Sequence, residues 1–114
     1  MEKGIVQIAD DVIAVIAQIA ALEVDGLKSL AHDKQDIVHT ITGKTQFKGV
    51  RVFIDESGSK VNISIKAIVY YGVNIKKICM KVQEKVKNSI ETMTGLKVLR
   101  VDVKIVGVVI TQEQ

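Results

Sequence analysis

Apolar positions recur along this chain with two different periods, and the switches between them mark out its elements. A short apolar piece, Ile5 to Ile8, reads as a first strand. Asp10 and Asp11 then stand before a helical run, where carboxylates suit the free amides and the positive dipole end. The run continues to Glu23, and Asp25-Gly26 ends it. Placed at steps of about 100°, Val12, Ile16 and Ile19 form one strong face, flanked by Ile13, Val15, Ala20 and Leu22. The opposite side carries Ala14, Ala17 and Ala21 instead of charge. A helix apolar nearly all round must be covered on both sides, and small residues let another backbone come close. The expectation is that Val12, Ile16 and Ile19 fill the core, while Ala14, Ala17 and Ala21 are covered by another subunit or partner rather than by the segment 28–47, which is polar and poor in large apolar residues.

Residues 32–47 are polar and irregular, and are expected to form a loop with one short helical turn around Asp36 to Ile41. A hairpin follows. Val50, Val52 and Ile54 alternate with Arg51, Phe53 and Asp55, Glu56 to Ser59 make the turn, and Val61, Ile63, Ile65, Ala67 and Val69 alternate with polar residues. The second helix has Asn74 as N-cap and Gly95 as its left-handed stop. Ile75, Ile78, Cys79, Val82, Val86, Ile90 and Met93 share one stripe, with Lys77, Lys81 and Lys85 in an outward row. A last strand runs from about Lys97 to Val108, with Val101, Val103 and Ile105 facing one way and Arg100, Asp102 and Lys104 the other. The order β-α-β-β-α-β predicts a two-layer α+β fold, with two helices packed on one face of an antiparallel or mixed sheet. Residues 1–114 read as a single domain.

Composition refines this picture. Val and Ile make up 34 of the 114 residues, aromatics only 4%, and proline is absent. Such a core is aliphatic and β-branched, with little to stack on bases or sugars. The longest helix-like apolar run, Val12 to Leu22, is far short of the roughly 20 residues that span a bilayer. The first residues show no export signal, and the lone Cys79 fits a reducing compartment, so a cytoplasmic protein is expected. Charge is uneven. Residues 1–43 carry three lysines against seven acids, whereas residues 44–114 carry 11 lysines and two arginines against six acids. Arg51, Lys66, Arg100 and Lys104 on the strands, with Lys77, Lys81 and Lys85 on the second helix, are the candidate basic surface.

Motifs for catalysis or cofactor binding do not assemble. Gly43-Lys44-Thr45 resembles the end of a phosphate loop, but position 38 is Val where that loop needs glycine. His32, Asp33, Asp36 and His39 match no standard metal spacing. Cys79 lies within an apolar stripe, as a structural thiol does. The Asp10-Asp11 and Asp55-Glu56 pairs are explained by a helix start and a turn. Lys48 to Phe53 superficially resembles an RNA-recognition strand, yet its stacking positions hold Val50 and Val52. Neither an enzyme, a metal nor a cofactor is expected.

Several segments together resemble the alkaline shock protein family of Gram-positive bacteria. They are Gly4 to Ile8, Val12 to Ala17, Glu23-Val24-Asp25-Gly26, Lys48-Gly49-Val50-Arg51-Val52, Tyr71-Gly72-Val73-Asn74-Ile75, Val82-Gln83, Val86, Met93 to Val98, Val101-Asp102-Val103 and Val106-Gly107-Val108. At Asp102 the family more often carries Asn. The resemblance implies a small cytoplasmic protein tied to envelope stress and maintenance, held near the membrane, if at all, by an anchoring partner. It brings no catalytic residue or cofactor. The function expected is that of a non-enzymatic scaffold acting through protein–protein contacts, as a homo-oligomer or docked on an envelope-linked partner. Two alternatives stand beside it: a nucleic-acid-binding module using the basic hairpin and second helix, and a regulatory subunit linked to lipid synthesis.

Overall fold

A computed structural model of the chain describes residues 3–31 and 49–110. The order among them is α1 (Asp10–Leu22), β1 (Leu27–Leu30), β2 (Val50–Ile54), β3 (Lys60–Tyr70), α2 (Ile75–Thr94) and β4 (Lys97–Val109). Both helices share one core with the inward face of a single mixed sheet, so the two-layer α+β expectation stands. One strand changes place. Ile5 to Ile8 is not a strand, and Ile5 and Val6 are 85% and 89% exposed. Apolar residues form a strand only where a neighbour pairs with them, and both edges of the central strand are taken by other segments. The missing strand is β1, after the first helix, with Leu27 and Leu30 buried.

Strand β3 is the spine. One edge pairs antiparallel with β2 over Val61 to Ile65 and then with β1 over Ala67 to Val69, so two short strands share it end to end. They meet at Lys66, whose N–H donates to the Gly49 carbonyl and whose carbonyl accepts from Ala31 N–H, each at 2.9 Å. The other edge pairs parallel with β4 along its full length, with bulges at Leu99 and Val106. A parallel neighbour needs a crossover, and α2 supplies it.

Period two puts Val61, Ile63, Ile65, Ala67 and Val69 on the inward face, each no more than 1% exposed. Above them α2 starts at Asn74, whose side chain accepts from Lys77 N–H at 3.0 Å, and stops at Gly95 in the left-handed region. Ile78, Val82, Val86 and Ile90 are buried, contributing roughly 6–12 kcal/mol gross before entropy. The expected stripe is narrower than seven residues. Ile75 and Met93 overhang at the two ends, 43% and 70% exposed, and Cys79 sits at the margin, half-buried.

The first helix faces the opposite way from the expectation. Ala14, Ala17 and Ala21 belong to the core with Ile13, Ile16 and Ala20, whereas Val12 and Ile19 are 49% and 56% exposed. The alanines are therefore not an interface with another molecule. The close approach their small side chains permit is used within the chain, where α1 packs against α2, β1 and β2. The expected helical turn at Asp36 to Ile41 lies outside the described residues.

Candidate functional site

Inverting α1 turns its larger apolar residues outward. Val12, Val15, Ile19 and Leu22 fall within roughly 80° of arc, on the side away from Ala17 and Ala20. Val15 is half-buried and the other three are at least 43% exposed. Solvent-facing helix surfaces are normally charged. Here only Asp11, Gln18 and Glu23 break the apolar stripe.

The outer face of the sheet carries no helix among the described residues. Register places its side chains in rows across the strands: Phe53, Asn62 and Arg100; Arg51, Ser64 and Asp102; then Lys66 beside Lys104. Residues opposite each other in such rows lie about 5 Å apart at their β-carbons. The fold thus brings together Arg51, Lys66, Arg100 and Lys104, the strand half of the expected basic surface. Asp102 sits among them, and both Nε and Nη2 of Arg100 donate to its Oδ1, at 3.2 and 2.9 Å. Asn62 Oδ1 is buried in this face without a hydrogen-bond partner among the described residues.

Lys77, Lys81 and Lys85 are exposed on α2, in the other layer. The seven cations are therefore two groups on two sides of the molecule, not one surface. Lys85 also bonds Glu23 at the end of α1, at 3.1 Å, and both side chains are about half exposed. This pair tacks the two helices together and is worth at most about 1 kcal/mol. Nearby, Val24, Asp25, Lys81, Glu84 and Asn88 line a shallow, mixed-charge cleft of 330 Å³.

A larger groove of 840 Å³ runs between the extended N-terminal segment and the hairpin turn. Ile5, Ile8, Ile54 and Leu96 line it with Ser57 and Thr94, so its described lining is apolar or uncharged. Cys79 lies apart, its thiol pushed above its ordinary value by burial and so protonated at neutral pH. Among the described residues no group of three His, Cys, Asp or Glu could hold a metal. The expected loop residues His32, Asp33, Asp36, His39 and Gly43 to Thr45 fall outside that range.

Among the described residues no strand pairs the outer edge of β4, and no pattern in the sequence announces this. Strand neighbours are set by the whole sheet, and no local pattern announces which strand will be last. Two side chains of α2 reach over it: Gln83 Nε2 donates to the Val101 carbonyl at 3.0 Å, and Glu91 Oε2 accepts from Val98 N–H at 2.9 Å.

Fold and surfaces define a small α+β domain with an apolar helix face, a charged sheet face and a long strand edge turned outward. The sequence profile of the alkaline shock protein 23 family, described as having a cell envelope-related function, matches residues 1–110. The chain belongs to that family. It is 37% identical over 106 residues to the uncharacterized protein YqhY of Bacillus subtilis, covering 92% of this chain and 77% of that one. It is 33% identical over 111 residues to the uncharacterized protein YloU of the same species, covering 95% and 91%. A Streptococcus pyogenes protein, Spy1614, matches at 27% identity over 115 residues, 98% of this chain and 93% of the other. Solved structures of MamM CTD variants share the fold at TM-scores of 0.52 and 0.50 and 11% identity, covering 85% of this chain and 93% and 95% of theirs. Among the described residues no helix is long and apolar enough to cross a membrane.

Proposed function

We propose that this member of a cell-envelope family is a non-enzymatic interaction protein of the cytoplasm. It serves envelope stress response and maintenance by binding proteins, itself included, and reaches the membrane only through a partner. The observation that carries this reading is the outward apolar stripe of α1, Val12, Ile19 and Leu22, on a helix whose opposite face is already committed to the core. Contiguous exposed apolar surface is what association sites offer. The split of the cations between two layers weighs against a single nucleic-acid surface made from the hairpin and the second helix.

Co-purification from Gram-positive cells tests the proposal, comparing wild type with Ile19→Glu. An envelope-linked membrane protein should be recovered with wild type and lost with the variant, while circular dichroism stays unchanged. Recovery of RNA, or of a lipid-synthesis enzyme, insensitive to Ile19→Glu would replace this reading with one of its two rivals.

A further inference from the structure

We infer that the outer edge of β4 pairs antiparallel with the same edge of a second copy, about a two-fold axis at Val103. This rests on the self-association part of the function proposed above and assigns it a surface.

The edge is treated differently in its two halves. At the start of the strand, Glu91 and Gln83 satisfy Val98 N–H and the Val101 carbonyl, so no neighbour is needed there. Alternation between the bulges sends the backbone groups of Val101, Val103 and Ile105 outward, since those of Arg100, Asp102 and Lys104 point to β3. Beyond Val101 this edge has no backbone partner among the described residues. On α2, the residue one turn before Gln83 is Met80, 58% exposed, which has no group to bond a strand. Capping thus stops where an apolar margin begins, with Val106 and Val108 45% and 50% exposed along the strand.

Charge selects the occupant and the register. Asp102 and Lys104 lie on the same face of β4, flanking Val103. With the axis at Val103, Asp102 of each copy faces Lys104 of the other, two opposite-charge pairs from one sequence. Shifting the axis to Lys104 sets two lysines against each other, and shifting it to Asp102 sets two aspartates. The pairing at Val103 also places Val101 opposite Ile105, so the Ile105 N–H takes the Val101 carbonyl from Gln83.

The test is the molar mass of the full chain by sedimentation equilibrium over a wide concentration range. It uses Val103→Pro, Asp102→Lys, Lys104→Asp and the double exchange, each checked for fold by circular dichroism. Proline at an edge position removes an outward donor and leaves the ladder to β3 intact. Wild type should dimerise, Val103→Pro and each single charge change should weaken association by about tenfold or more, and the double exchange should restore it. If Val103→Pro fails to fold, the charge exchange decides. Wild-type assembly that ignores all four variants overturns this edge and leaves self-association standing. A wild-type monomer at every concentration overturns both.

Discussion

At Gly49 a β-carbon would lie 2.7 Å from the Ala31 nitrogen and 2.8 Å from the Lys66 carbonyl oxygen, at a φ of +74°. Those are backbone atoms of the sheet and cannot swing aside. Gly58 has a similar φ of +76° but open space around it. Gly58→Ala should therefore cost about 1 kcal/mol, the left-handed penalty alone, and Gly49→Ala clearly more, roughly 3 kcal/mol or above. Urea melts of the two variants check the difference. A second residue carries a pH signature. Asp55 accepts from the Ser57 hydroxyl at 2.8 Å and from the Lys60 and Ser59 N–H groups. These bonds, that of Ser57 foremost, hold its carboxyl below the ordinary 3.8. The ionised form is the one the folded turn favours. Its stabilisation is present above the unfolded value and is lost as pH falls through the lower, folded one. The stability gap between wild type and Asp55→Asn should be full near neutrality and close below about pH 4. Melts at a series of pH values read it directly. A gap that widens in acid would reverse the assignment.

Between elements, α1 makes the sharpest statement. Ala17 is fully buried and Ile19 is 56% exposed, only two residues on. Ala17→Arg should unfold the domain, because a charge would enter a core with no room and no partner. Ile19→Arg should leave the melting temperature nearly unchanged. Thermal melts by circular dichroism separate the two. The same helix shows what sequence could and could not reveal. Period two named the inward residues of β3, and Asn74 and Gly95 named the limits of α2, because local chemistry decides those features. The orientation of α1 is not legible, since apolar residues lie on both of its sides and their size points to the wrong one. Which side turns inward depends on how near α2 and the sheet lie, and closeness selects alanine. Strand β1 escaped notice because a bulge between Leu27 and Ser29 breaks its alternation within four residues. The candidate basic surface was half legible. Alternation grouped Arg51, Lys66, Arg100 and Lys104, but nothing local told that α2 would carry its lysines to the other layer.

Over the whole molecule, the cations are spread on two sides and Arg100 and Lys85 are engaged by Asp102 and Glu23. Binding to RNA or DNA should therefore be weak, sequence-independent and abolished by moderate salt. A filter-binding titration across salt concentrations checks this, and sub-micromolar, sequence-dependent affinity at physiological salt would contradict it. The place where β1 and β2 meet on Lys66 has a consequence of another kind. Ala31 and Gly49 follow β1 and precede β2, and one residue of β3 bonds both points. Each short strand is pinned there by one backbone bond to the same residue, so neither ladder can slip along β3 without breaking its bond to Lys66.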